Sequence, residues 1–193
     1  PKARIAYEAL AEDSTCIHRW NPLFIYTPKT RTIQGFGHWN KEPNRLLRVI
    51  GALALSVVVI EDDGLVVHGA GFANDGLGGF FIGPSGAGKS TAIELLSPDR
   101  LLSDDALAIT EISSEPILHA TPFGNISDGP CDVPLRGIFF LRKGAEFKLE
   151  RLSVHDAITR YVEEQKDVLW SFFEPHVALA FQNAHKLFQK VPT

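Results

Sequence analysis

Short apolar runs, each ended by a turn signal, predict strands along most of this chain. The runs at 79–82 and 135–141 are continuous and indicate buried strands, whereas 147–152 alternates and indicates a half-exposed strand. Further strands are predicted at 23–26, 32–36, 65–70, 100–105 and 106–109. The triplet Asn74-Asp75-Gly76 is a hairpin turn signal that leads into the strand at 79–82.

Apolar residues at helical spacing predict helices between these strands. Pro43 opens a helix predicted to extend to about Ser56, and a second one is predicted over 90–96. Ser153 is predicted to cap a third helix, and a last one is predicted over 175–190. Together these elements predict a single α/β domain with a mixed central sheet flanked by helices. Residues 1–60 are expected to form a small β-rich part packed on it.

The charge and hydropathy of the chain argue against some classes of function. The 193 residues carry a net charge of −4, so no overall positive field attracts nucleic acid. The longest apolar run, 49–60, is shorter than the roughly 20 residues that cross a bilayer. We therefore expect a cytoplasmic protein with neither nucleic-acid nor membrane partners. Cys16 and Cys131 are expected to be structural thiols, with a disulfide as the alternative.

One stretch carries the clearest chemistry. It fits the pattern G-x-x-x-x-G-K-[ST], and it stands between a predicted strand and a predicted helix, as a phosphate-binding loop requires. It reads Gly83, Pro84, Ser85, Gly86, Ala87, Gly88, Lys89, Ser90, Thr91. Glycines let backbone N–H groups turn inward to phosphate, Lys89 can reach the β- and γ-phosphates, and the Ser90 hydroxyl can bind Mg²⁺. The alternative is a glycine-rich turn with an incidental lysine.

Acidic residues follow this loop at a strand end. One carboxylate of Asp104-Asp105 can hold a metal ion while the other takes a proton from an attacking hydroxyl. The alternative is a solvated turn. His68 ends a strand, and it is expected at the same sheet edge as the phosphates if that strand neighbours the one before the loop. Its alternative is a structural histidine. For the acidic run 61–63, a solvated turn is favoured over a metal site.

Three motifs in order resemble the catalytic domain of HPr kinase/phosphorylase, which shares its fold with phosphoenolpyruvate carboxykinase. They are His68-Gly69, the glycine loop and Leu102-Ser103-Asp104-Asp105. The stretches 121–124 and 134–141 resemble compact HPr-kinase-related proteins, some of which modify serine in peptides. The resemblance covers about 64–190. It implies a P-loop nucleotide-binding domain that uses ATP and Mg²⁺ to phosphorylate a peptide or protein.

The resemblance also implies roles for individual residues. Ser90 and Asp104 would hold Mg²⁺, Lys89 would neutralise phosphate charge, and Asp105 would act as the base, with the reverse assignment of the two aspartates as the alternative. Arg136 corresponds to a family arginine near the transferred phosphate, although a solvated arginine at a strand start is favoured.

Two features limit this interpretation. No E-x-R-G segment follows the aspartates, so phosphorolysis is not expected. HPr as the acceptor is not expected either, because the amino-terminal part is short and unlike the regulatory domain of HPr kinases. A nucleotide-binding sensor or scaffold without phosphoryl transfer remains the alternative function, and homo-oligomerisation remains open.

Overall fold

The computed structural model describes residues 15–18, 23–30, 32–36, 43–125, 132–169 and 174–193. The strands are β1 Thr15–His18, β2 Leu23–Thr27, β3 Thr32–Phe36, β4 Leu65–His68, β5 Ala70–Asn74, β6 Leu77–Ile82, β7 Arg100–Ser103, β8 Ala106–Thr110, β9 Ile117–Ala120 and β10 Asp132–Phe140. The helices are α1 Pro43–Glu61, α2 Lys89–Leu96, α3 Val154–Leu169 and α4 Glu174–Lys190, with a short 3-10 helix at Pro28–Thr30.

The strands form two sheets. Strands β1, β2 and β3 make a three-stranded antiparallel sheet. The larger sheet has seven strands in the order β4-β8-β9-β10-β6-β5-β7. Its β10–β6 pairing is parallel and its other pairings are antiparallel. The predicted α/β class with a mixed central sheet is therefore confirmed.

Helices cover both faces of the larger sheet, and the strand residues alternate accordingly. On β4, Val67 belongs to the main core, whereas its neighbour Val66 packs in a second cluster with Val59 of α1. The main core lies against α3 and α4, where the buried rings of Tyr161 and Phe188 meet edge to face at 5.6 Å. The helices that flank the sheet thus bury it from two sides.

Strands β4 and β5 are nearly continuous, and so are β7 and β8. Only Gly69 separates the first two, while Asp104 and Asp105 separate the second two. Because β4 pairs with β8 and β5 pairs with β7, the four strands form one long antiparallel ribbon. The ribbon is bridged at its middle by a hydrogen bond of 3.0 Å from the Gly69 N–H to the Asp105 carbonyl. The acidic turn therefore lies beside the end of β4.

Local signals predicted several elements correctly. The two-residue turn between β5 and β6 has positive φ at Asp75 (50°) and Gly76 (74°), as the hairpin signal requires. Ser153 caps α3 by accepting a hydrogen bond of 3.1 Å from the Asp156 N–H. Helix α1 is longer than predicted, because its apolar face continues to Ile60 and packs in the core.

Other predictions need correction. Residues 147–152 form no strand, and Phe147 is 96% exposed. Strand β9 was not predicted, since 117–120 lacks a clear alternation of apolar and polar residues. Cys131 lies outside the described residues, so neither cysteine prediction is tested. Among the helices that the structure describes, none combines the length and apolar character that a membrane span requires.

Candidate functional site

The glycine-rich loop, residues 83–88, joins the end of β6 to the start of α2. Gly86 and Gly88 have φ of 76° and 99°, a region that side chains with a Cβ rarely adopt. A Cβ on Gly83 would lie 3.0 Å from both the Ala87 Cβ and the Leu141 carbonyl oxygen. Three glycines are therefore required by backbone shape and close packing rather than by flexibility.

Lys89 is the first residue of α2, and its side chain folds back over the loop. Its Nζ donates hydrogen bonds to the carbonyl oxygens of Gly83, at 2.6 Å, and Pro84, at 3.2 Å. Ser90 is exposed on the first turn of the helix. The ammonium group is thus held at the loop, where a phosphate, as a stronger acceptor than a carbonyl, would compete for its protons.

His68 and Asp105 form a pair at the middle of the ribbon. The His68 Nδ1 lies 3.2 Å from an Asp105 carboxylate oxygen, and both side chains are partly exposed, at 44% and 46%. The pair is close to the end of β6, because a Cβ on Gly69 would lie 2.7 Å from the Phe81 carbonyl oxygen. Strand β4, which His68 ends, is not a neighbour of β6. Strand β5, which continues β4 after Gly69, is a neighbour of β6, and His68 therefore lies near the end of β6 as expected.

Asp104 is held by a residue that the sequence did not single out. The backbone N–H and the side-chain Nδ2 of Asn125 donate to the two carboxylate oxygens of Asp104, each at 2.7 Å. Partial burial alone would raise the pKa of Asp104, but these hydrogen bonds outweigh it and leave the pKa below its usual value. Asp104 is therefore a carboxylate at neutral pH, as a metal ligand must be.

A short segment, residues 121–125, covers the acidic turn. Thr121, which is buried, donates from its hydroxyl to the Ala106 carbonyl at 2.6 Å and fixes the start of the segment. A Cβ on Gly124 would lie 2.7 Å from both an Asp104 carboxylate oxygen and the Ser103 hydroxyl. Glycine allows the backbone to approach the carboxylate this closely, so Gly124 followed by Asn125 was the available sequence signal.

Arg136 is not brought to the glycine-rich loop. It lies on β10 between Leu135 and Gly137, at an irregularity where the register with β6 shifts. Gly137 pairs with Gly79, so Arg136 stands more than three residues, about 10 Å of strand, before the end of β6. Its guanidinium forms an exposed ion pair with Glu115. This is the environment of a solvated arginine within a strand.

Two of the residues expected to hold magnesium carry oxygen atoms of the kind that this ion prefers. In the described part of the chain, no three His, Cys, Asp or Glu side chains form a cage for a metal. Mg²⁺ rarely needs such a cage, because it is commonly bound by one or two carboxylates together with substrate phosphates and water. The ionised Asp104 and the exposed Ser90 hydroxyl supply hard oxygen ligands of this kind.

Comparison with known proteins gives no further assignment. No family model matches this chain, and no curated protein is significantly similar to it. The resemblance to HPr kinase/phosphorylase therefore rests on short sequence motifs alone.

Proposed function

We propose that the protein is a P-loop kinase of the HPr kinase and phosphoenolpyruvate carboxykinase type, which transfers the γ-phosphoryl group of ATP to a serine hydroxyl of a peptide or protein. One observation carries the proposal. The glycine-rich loop and the His68–Asp105 pair flank the end of β6 and are linked through the close contact of Gly69 with Phe81. A candidate phosphate-binding loop and a candidate proton acceptor therefore share one edge of the sheet.

In the proposed reaction, the residues around the glycine-rich loop and the acidic turn have distinct roles. The hydroxyl oxygen attacks the γ-phosphorus, the bond to the β–γ bridging oxygen breaks, and ADP leaves with that oxygen. Asp105 takes the hydroxyl proton. The His68 Nδ1, which lies 3.2 Å from an Asp105 oxygen, orients that carboxylate. Lys89 attracts the phosphate oxygens. Ser90 and Asp104 would hold Mg²⁺, which supplies charge neutralisation at the phosphates. Arg136 has no part in this proposal.

A nucleotide-binding sensor or scaffold without phosphoryl transfer is the second candidate. The observation in its favour is that the acidic turn is well satisfied within the protein. Both oxygens of Asp104 already accept hydrogen bonds from Asn125, and Asp105 already faces His68. Such a turn is stable without any ligand, so it does not by itself require a metal ion or an acceptor.

Nucleotide binding is tested first, with Lys89→Ala. We expect the affinity for ATP–Mg to fall about 10- to 100-fold, because a charge-assisted hydrogen bond contributes roughly 1.5–3 kcal/mol. Isothermal titration calorimetry of the wild type and the variant measures the change. The matched control is Lys148→Ala, since Lys148 is an exposed lysine paired with Glu150. Equal affinities for wild type and Lys89→Ala would contradict the phosphate-binding assignment.

The two candidate functions are then separated by an assay of transfer. Wild-type protein is incubated with γ-labelled ATP, Mg²⁺ and a library of serine-containing peptides, beside the same library with alanine in place of serine. Label transferred only to the serine library supports the kinase. Tight ATP binding with no transfer to any peptide or protein fraction supports the sensor or scaffold.

A further inference from the structure

Strand β4 lies at the edge of the larger sheet, and its last residue is His68. An edge strand leaves alternate N–H and C=O groups without a strand partner. At His68 both groups are bonded instead by the side-chain amide of Gln165 on α3. The His68 N–H donates to Oε1 of Gln165 at 2.7 Å, and Nε2 of Gln165 donates to the His68 carbonyl at 2.8 Å. Gln165 itself is only 1% exposed.

The amide therefore acts as a one-residue strand partner. It offers one donor and one acceptor in the same plane, which is what a neighbouring strand offers to one residue of β4. Both backbone groups of His68 thus face Gln165, while β8 lies on the other side, where the next residue, Gly69, donates its N–H to the Asp105 carbonyl. Its imidazole, by contrast, is 44% exposed and has little packing to hold it.

We propose that Gln165 is a positioning residue for the site: by fixing the His68 backbone, it keeps the His68 Nδ1 facing the Asp105 carboxylate. A half-exposed ring takes its position from its own backbone, so freedom at the His68 peptide groups moves the ring away from its partner. The structural part of this inference stands on the contacts alone. Its effect on phosphoryl transfer rests on the proposed kinase function.

A second buried side-chain amide, far from the site, serves as a matched control for an amide whose role is only structural. Asn183 of α4 is also 1% exposed and also reaches backbone groups, those of Ile60 and Gly64. It donates to their carbonyl oxygens at 3.1 and 3.0 Å. Asn183 thus anchors the turn between α1 and β4, at the other end of β4 from His68.

The experiment compares Gln165→Met with Asn183→Leu, each an apolar replacement of similar shape. Nitrogen NMR of the imidazole measures whether the His68 Nδ1–H still donates to Asp105, and transfer assays give kcat and KM. We expect Gln165→Met to weaken the Nδ1 hydrogen-bond signal and to lower kcat about 100-fold with KM little changed, since misplacement by about 1 Å has that effect. Asn183→Leu should lower stability and leave both readouts as in the wild type.

The outcomes separate the inference from the proposed function. If the wild type transfers no phosphate but Gln165→Met still disturbs the His68 signal, the kinase proposal fails and the positioning role stands. If Gln165→Met is folded and leaves that signal and kcat unchanged, Gln165 is only structural and the inference is wrong.

Should Gln165→Met not fold, Gln165→Asn replaces it, because this variant keeps the neutral amide but shortens the side chain by one methylene, so that the amide no longer reaches both backbone groups of His68. An unchanged His68 signal in folded Gln165→Asn contradicts the inference. In the wild type, rapid hydrogen exchange of the His68 amide, as fast as in an open loop, contradicts it as well and requires no variant.

Discussion

Two acidic turns of this protein look alike in sequence and differ in their partners. The turn between α1 and β4 contains Asp63, which accepts hydrogen bonds from the Ser113 N–H at 2.6 Å, the Ser113 hydroxyl at 2.8 Å and the Lys186 ammonium at 3.0 Å. The turn between β7 and β8 contains Asp104 and Asp105, whose described partners are the amide of Asn125 and the ring of His68.

The partners indicate what each turn is for. Lys186 neutralises Asp63 and ties α4 to the strand ends, so this carboxylate is committed to the fold. Asn125 orients Asp104 without cancelling its charge, because an amide donates hydrogen bonds and carries no charge. Asp104 therefore keeps a negative charge that a cation can use. The sequence favoured a solvated turn over a metal site here, and the structure adds that Asp63 in this turn is bonded to Ser113 and Lys186.

The largest difference between the turns should appear in the chemistry. We expect Asp105→Asn to cut phosphoryl transfer by about 10²–10⁴, the usual effect of losing a general base, with ATP affinity nearly unchanged. Asp104→Asn should instead raise the Mg²⁺ concentration needed for half activity. Asp63→Asn should alter neither. The measurement is ATP affinity and transfer rate for the three variants across a Mg²⁺ series.

Two results would contradict the proposed difference in function between the two acidic turns. Loss of transfer in Asp63→Asn, at full folding, would show that the two turns are not distinct in function. If Asp104→Asn abolishes transfer and Asp105→Asn raises the Mg²⁺ requirement, the kinase proposal stands and the roles of the two aspartates are reversed. Unchanged transfer in both would identify their turn as purely structural.

A pair of glycines gives the second test, with a smaller effect. A Cβ on Gly64 would lie 2.4 Å from the Ile109 carbonyl oxygen and 2.7 Å from that of Val59, and neither backbone atom can move aside cheaply. Gly64→Ala should therefore lower the free energy of unfolding by about 3 kcal/mol. The Cβ of Gly124→Ala would contact side-chain atoms of Asp104 and Ser103, and side chains move more easily than backbone. This variant should therefore lower the free energy of unfolding by only about 1 kcal/mol.

The readouts of the two glycine variants should diverge. Gly124→Ala displaces the Asp104 carboxylate, so we expect a higher Mg²⁺ requirement in the transfer assay despite the small loss of stability. Gly64→Ala should keep the wild-type Mg²⁺ requirement for the fraction that is folded. Denaturant unfolding and the Mg²⁺ series measure both properties, and equal Mg²⁺ requirements for the two variants would argue against a metal role at Asp104.

Features coded by neighbouring residues could be predicted from the sequence. The Asn74-Asp75-Gly76 turn, the Ser153 cap and the strand–loop–helix at 77–96 each depend on residues a few positions apart. The alternation at 147–152 misled the prediction, because alternation shows that a segment can be a strand but does not supply a partner strand. There Leu149 is 76% exposed, and the Leu152 N–H bonds the carbonyl of Thr193 instead.

The partners that distinguish the two acidic turns could not be predicted. Asn125 is 21 residues from Asp104, Gln165 is 97 from His68, and Lys186 is 123 from Asp63. Such contacts follow from how helices and loops pack on the sheet, and no local pattern encodes that packing. The motifs located the candidate site, and only the fold showed which side chains orient it.

The smallest expected effect concerns Asp63, in the turn between α1 and β4. Partial burial would raise the pKa of Asp63, but hydrogen bonds from Ser113 and the charge of Lys186 outweigh it and hold the pKa below its usual value. A carboxyl group whose pKa is lower in the folded than in the unfolded state stabilises the fold above the unfolded pKa, about 3.9. That stabilisation is lost as the pH falls through the folded-state pKa.

Asp63→Asn should therefore lower the free energy of unfolding by about 1 kcal/mol at pH 7, a modest value because the Lys186–Asp63 pair is partly exposed. The difference between wild type and variant should shrink below about pH 4 and vanish once the wild-type carboxyl is protonated. Denaturant unfolding at pH values from 7 to about 2 measures it, with Asp75→Asn as the control in an exposed hairpin turn. A difference that persists unchanged near pH 2 would mean that Asp63 acts through its shape and not through its charge. That result would contradict the proposed contrast between Asp63, which Lys186 neutralises, and Asp104, which keeps its charge.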